Sequence, residues 1–313
     1  MNREASLNSR LTGPGSVMPR NEMPAGSARH HAVKLGRIAL YVCLLISCAF
    51  YLVPLLIMIS TSLKPTAEIA SGNVLALPQT WTIEPWIRAW SSACIGLQCG
   101  GISTGFWNSV AVTVPSTVLS VFLGALTGYS LTFWRVRGAN FLFSILLLGA
   151  FLPGQVFIYP LLRLYSAIGI RSGLTALVLS HAIFGLPMLT LLFRGYFSDL
   201  PYDLFRAARV DGVGYFQIFL FVILPMSLPI IVVSTILKIT WVWNDYIIGV
   251  VFGGLAARPM TVQLLNLVTS TDASVEYNVN MAATMLTSLV PLLTYLVAGR
   301  WFVRGITAGA VKG

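Results

Sequence analysis

Residues 194–217 read RGYFSDLPYDLFRAARVDGVGYFQ and lie between two long apolar runs. The stretch has the parts of a short amphipathic helix, which a tight turn would not need. Pro201 suits a first helical turn, Asp203 suits the positively polarised N-terminus, and Leu204, Ala207 and Ala208 give one small apolar face. Asp211-Gly212 supplies the stop, because glycine tolerates the positive φ of a C-terminal cap. The pattern predicts a membrane domain with a helix lying along one of its surfaces.

A membrane-crossing helix takes about 20 mainly apolar residues to span a hydrocarbon core of roughly 30 Å. Uncharged runs of that order occupy residues 38–60, 106–133, 141–161, 174–193 and 282–299. A sixth, 218–243, carries one charge, Lys238. None alternates as the strands of a membrane barrel do. Composition agrees: 56% of the chain is hydrophobic and 10% charged, against roughly 25% charged in a soluble domain. The expected class is an all-α integral membrane protein of about six transmembrane helices.

The net charge of +10 is spread between the apolar runs, which argues for topology and against a nucleic-acid surface. With the N-terminus inside, fourteen Lys and Arg fall on the cytoplasmic side and five on the other. That bias places both termini in the cytoplasm of a bacterial inner membrane. The first apolar run begins at Ile38 after a long polar segment and is too long for a cleaved signal. The expected organisation is a disordered cytoplasmic tail over 1–35, a first membrane helix with its outer loop over 36–105, a membrane core over 106–303 and a cytoplasmic tail over 304–313.

The first outer loop holds Trp81, Trp86 and Trp90, whose placement predicts a segment lying at the membrane interface. It also holds Cys94 and Cys99 on the oxidising side, where a local disulfide and two free thiols are both open. Cys43 and Cys48 read as packing residues of the first run. The loops over 162–173 and 244–280 complete the outer side.

Asn108, Gln155 and His181 are polar groups within apolar runs, and Trp241 and Asn244 close the fifth of them in chain order. These are the candidates for a substrate pathway, although interhelical hydrogen bonds and an aromatic belt account for the same residue types. Lys238 falls near the outer end of its run, so snorkelling to the interface is the favoured reading over a functional intramembrane charge. Pro54, Pro115, Pro187, Pro225, Pro229 and Pro291 predict kinks.

The chain has no G-x-x-x-x-G-K-[ST] phosphate loop. No Asp or Glu lies within an apolar run, and only His181 of the three histidines does. A secondary transporter with coupling carboxylates and a membrane-embedded enzyme are the alternatives, and both lack the side chains they would use. No metal site is expected.

The cytoplasmic stretch resembles the membrane subunits of ABC importers, whose signature is Glu-Ala-Ala, three residues, Gly, nine residues, Ile-x-Leu-Pro. Here Arg206-Ala207-Ala208, Gly212, Val222, Leu224 and Pro225 stand at that spacing, with Arg206 replacing the acid. Ser62-Leu63-Lys64-Pro65, Trp243-Asn244-Asp245 and the tail Gly309 to Gly313 look like the carbohydrate, maltose-permease-like type. The Cys94 to Cys99 loop and the stretch Glu276 to Val279 look closest to glucose and mannose permeases.

The resemblance implies the type I importer fold, with residues 201–217 as the helix that couples to the ATPase. It gives Arg206, Ala207, Ala208, Asp211, Gly212, Leu224 and Pro225 as coupling positions, with Arg209 beside them. It also implies a transport subunit and not an enzyme. Its partners would be a second permease, two ATPase subunits that bind ATP and Mg, a periplasmic sugar-binding protein and the sugar itself. This chain would carry no cofactor of its own.

Overall fold

The computed structural model describes residues 25–70, 72, 76–95, 98–134, 136–269 and 276–310. The chain divides into two compact units, residues 1–55 and 56–313. Helix α1 (Ala25–Ser62) supplies the described part of the first unit and runs into the second. Residues 25–35, expected in the tail, are therefore helical, and residues 1–24 lie outside the described residues.

After α1 come α2 (Thr66–Ala70), α3 (Glu84–Ser91) and a two-stranded hairpin of β1 (Cys94–Ile95) and β2 (Gln98–Cys99). The strands pair antiparallel with Cys94 opposite Cys99, and those two residues are joined by a disulfide. Then follow α4 (Ser103–Phe133), α5 (Ala139–Phe151), α6 (Ile158–Ala167) and α7 (Leu174–Ser198). Next are α8 (Tyr202–Val210), α9 (Tyr215–Ile218), α10 (Leu224–Met226) and α11 (Leu228–Asn244). The chain closes with α12 (Ile247–Phe252), α13 (Met260–Thr269) and α14 (Tyr277–Ala310). The last helix takes up most of the expected C-terminal tail; residues 311–313 lie outside the described residues.

Among the described residues four helices are long and apolar enough to cross a membrane: α1 from Gly36, α4, α7 and α14 up to Gly299. The count reaches six only if two bent pairs each make one span. The α5–α6 pair turns by 108° and the pair formed by Tyr215–Met226 and α11 by 82°. Expected as two continuous runs, both break at prolines. Leu152, just before Pro153, is extended, as the clash with a following proline ring favours. Pro225 and Pro229 remove two donors around Ser227, whose hydroxyl caps the carbonyl of Ile223.

The centre of the second unit is the packing of α4 along α7. Gly124 and Gly128, four residues apart, let the helix backbones approach closely. A Cβ built on Gly124 would lie 2.7 Å from Cβ of Leu189, and one on Gly128 would lie 2.9 Å from Cβ of Phe193. Helix α11 packs against both α4 and α14.

The segment over 244–280, expected as an outer loop, contains two helices, α12 and α13. Its polar ties go to the membrane helices: Gly173 N–H donates to the Phe252 carbonyl at 2.7 Å, Met260 N–H to Ser109 Oγ at 2.8 Å and Gly105 N–H to Gln263 Oε1 at 2.9 Å. Helix α3 packs at the same end, with Trp90 5.4 Å from Phe106 and Trp86 Nε1 donating to Ser62 Oγ at 3.2 Å. Trp86 and Trp90 therefore face inward, and only Trp81 of the three is exposed. Arg88 pairs with Glu276 at 2.7 Å and ties α3 to the start of α14.

Candidate functional site

Helix α8 lies across the ends of α4 and α7, and one side chain anchors it. Phe205 is 1% exposed and sits in an aromatic cluster with Tyr129, Phe133, Phe193, Phe197 and Phe219. Its ring centre is 5.1 Å from that of Phe133 and 5.6 Å from that of Trp134. Of the small apolar face read from Leu204, Ala207 and Ala208, Ala208 is half-buried while Leu204 and Ala207 are exposed. An apolar ring of Phe205's size gains more from burial than a methyl group does, so the phenyl ring takes the core. Leu204, Ala207 and Val210 are left outward, Val210 at 87% exposure.

The stop is built as the dipeptide predicts. Gly212 has φ +76°, a left-handed conformation that a Cβ disfavours. Its N–H donates to Arg209 O at 3.1 Å, and Val213 N–H donates to Ala208 O at 3.1 Å, which is the paired bonding of a Schellman cap. Pro201 stands one place before its expected position, as the N-cap residue. The turn after Gly212 feeds α9, where the Tyr215 carbonyl accepts from Tyr129 Oη at 3.1 Å. Tyr196 Oη on α7 donates to the Met226 carbonyl at 3.0 Å. Helix α8 is thus tied through α9 and α10 to the bend before α11. Leu224 and Pro225 belong to that bend, while Arg206 and Asp211 are exposed on the helix itself.

The candidate pathway residues do not form one group. The Asn108 amide donates to the carbonyls of Ala256 and Arg258 at 3.2 and 3.1 Å, which makes it a tie for the segment between α12 and α13. Gln155 is exposed in the turn between α5 and α6. His181 is 3% exposed, with Nε2 4.0 Å from Asp245 Oδ2. Trp241 and Asn244 do come together: both are exposed, and with Thr240, Asp245, Tyr246 and Tyr295 they line an open cavity of about 620 Å³. Asp245 accepts from Gly249 N–H at 3.0 Å and so holds the start of α12. Burial pushes its carboxyl up from the ordinary range, against the pull of the Gly249 and Ile248 N–H groups and the Lys238 charge.

Lys238 does not snorkel. It is 2% exposed and donates from Nζ to the His181 carbonyl at 2.7 Å. Trp243 is likewise a core residue, its Nε1 donating to the Thr287 carbonyl at 2.9 Å. Cys43 and Cys48 are free thiols.

Comparison with known proteins decides the family. Residues 120–308 match the family described as binding-protein-dependent transport system inner membrane component. The chain belongs to that family. This inner membrane component is 35% identical over 224 residues to the alpha-glucoside transport system permease protein AglG of Rhizobium meliloti, covering 69% of this chain and 58% of that protein. It is 29% identical to the glucose import system permease protein GlcU of Saccharolobus solfataricus, covering 87% of this chain and 95% of GlcU. A bacterial ABC transporter involved in the import of the acidic polysaccharide alginate shares the fold, with a TM-score of 0.74 at 20% identity, over 87% of this chain and 98% of that one.

Membership makes the molecule a multi-pass transport component with ABC importer permease architecture, and not an enzyme. Sequence reasoning passed over Phe205 and the Gly124–Gly128 pair, and met Asp245 only as part of the Trp243-Asn244-Asp245 stretch. Four-residue glycine spacing in an apolar run is a signal for close helix packing; nothing local marks Phe205, because its partners come from α4, α7 and α9.

Proposed function

We propose that this chain is the permease through which an ABC importer passes a sugar, with α8 coupling it to a separate ATPase. The observation that carries the reading is the build of α8: Phe205 locks it to the ends of α4 and α7 while Leu204, Ala207 and Val210 face outward on a helix closed by Gly212. A helix so anchored moves as one piece with the membrane helices it joins. The fit to the family signature at Ala207, Ala208, Gly212, Leu224 and Pro225 supports the same assignment.

On this reading α8 faces the cytoplasm, both termini are cytoplasmic, and ATP and Mg bind to the ATPase subunits. A second permease, two ATPase subunits and a periplasmic binding protein complete the importer. The substrate is a sugar of the glucose or mannose type: the names of AglG and GlcU support a glucoside or glucose, and the Cys94 to Cys99 loop with the Glu276 to Val279 stretch supports the glucose and mannose class. Trp241 and Asn244 are its proposed contacts on this chain, because an aromatic face beside amide and hydroxyl groups suits a sugar's apolar and polar sides.

The test is uptake of labelled glucose and mannose by proteoliposomes holding the assembled importer and its binding protein. Uptake that requires internal ATP is expected. Uptake by this chain alone, without ATP, would replace the reading with a secondary transporter.

A further inference from the structure

Arg206 and Arg209 lie one turn apart on α8, both exposed, and each guanidinium is laid on aromatic rings. Arg206 is 5.1 Å from the Tyr202 ring centre, and Arg209 is 5.0 Å from that of Trp134 and 6.0 Å from that of Phe205. With Phe133 and Val210 these side chains line an open groove of about 640 Å³. Among the described residues no carboxylate lies within 4.0 Å of either guanidinium. Asp203 and Asp211, on the same helix and its cap, are exposed and do not close such a pair.

Long basic side chains at a surface are ordinarily mobile, and ordering them costs entropy. Placement over an aromatic ring restricts that freedom in advance. The guanidinium carries an N–H fork that matches a planar carboxylate.

The geometry points to a carboxylate receptor: Arg206 and Arg209 together take acidic side chains of the ATPase subunit against which α8 docks. This rests on the coupling reading above and adds the partner's chemistry. A protein surface is favoured over an anionic lipid surface by the pattern around the pair. Asp199, Asp203 and Asp211 are exposed beside it, as are Leu204 and Val210. A uniformly anionic sheet would be repelled by those acids, whereas a protein groove can match mixed signs and apolar tips.

The experiment measures binding of the ATPase subunits to the full membrane complex in nanodiscs, with and without anionic lipid, over a range of NaCl. The native complex is compared with the pair R206Q/R209Q, the pair R206E/R209E and the single R206E. The Gln pair is expected to weaken binding about tenfold and to flatten its salt dependence, and the Glu pair to weaken it by about a further tenfold. R206E, a single charge reversal, is read if the Glu pair does not fold, and it too is expected to weaken binding. Glutamate variants that bind as well as the Gln pair overturn the inference and leave the coupling reading standing. A loss seen only with anionic lipid overturns it in favour of headgroup binding. A native complex that holds no ATPase overturns the coupling reading itself.

Discussion

Lys238 Nζ on α11 donates a 2.7 Å hydrogen bond to the backbone carbonyl of His181 on α7. The ammonium fits because Gly185, one turn along α7, has no side chain: a Cβ there would lie 2.4 Å from Nζ and 3.2 Å from Ser120 Oγ. A buried charge carries a desolvation cost of several kcal/mol unless it is well compensated, so the site depends on that bond. Gly185→Ala is expected to lower stability in detergent by about 1–3 kcal/mol by displacing the ammonium from its acceptor. With Lys238→Met already in place the same change should cost less than about 1 kcal/mol, since there is no longer an ammonium–carbonyl hydrogen bond to break and a flexible thioether can give way. Thermal unfolding of the four proteins checks this, and additive costs would contradict it.

Gly128→Ala places a Cβ 2.9 Å from Phe193 Cβ and 3.0 Å from the Arg194 nitrogen. Separation of α4 from α7 should cost about 1–3 kcal/mol. Gly195, also on α7, has nothing within 4 Å of the equivalent position. Gly195→Ala should therefore be neutral or stabilising by up to about 1 kcal/mol through helix propensity. The same unfolding assay separates the two.

Phe205→Ala removes the anchor of α8 from a nearly closed aromatic cluster, at an expected cost of about 3–5 kcal/mol. Val210→Ala, at a position 87% exposed, should change stability by less than about 0.5 kcal/mol. Limited proteolysis near residue 213 should accelerate in the first variant and stay native in the second.

The Cys94–Cys99 disulfide closes a loop with a sequence separation of 5. Its loss in the Cys94→Ser, Cys99→Ser double variant should cost about 2 kcal/mol, the loop-entropy value for so short a closure. Mass spectrometry after alkylation should label these cysteines only when reductant is present. Labelling without reductant would contradict the pairing.

What the chain alone discloses follows how local the cause is. Pro201, Asp203 and Asp211-Gly212 act within one helix, and α8 begins just after Pro201 and ends at that stop; the element expected over 201–217 is therefore α8, a turn and the start of α9. The inward face of that helix depends on the aromatic ends of α4 and α7, which are distant in sequence, so nothing next to Phe205 in the chain marks it as the anchor. The prolines at 153, 225 and 229 announce a disturbance; whether a span kinks or turns by 108° or 82° depends on what packs in the bend. Lys238 is read from its distance to the end of the run as a snorkelling residue, because the carbonyl and glycine that receive it lie on α7. Of the pathway candidates Trp241 and Asn244 share a cavity, and those two are three residues apart on one helix.

The most direct measurement of the central claim is ATP hydrolysis by the assembled importer, with and without sugar-loaded binding protein, for the native chain and for Gly212→Val. A β-branched residue strains the φ of +76°, so the cap that holds α8 in register opens while the membrane helices remain folded. The account predicts that loaded binding protein stimulates the native complex and that stimulation falls at least about tenfold in the variant, with basal hydrolysis and the thermal stability of the membrane domain close to native. Full stimulation in a variant shown to carry valine at 212 would contradict the assignment of α8 as the coupling element.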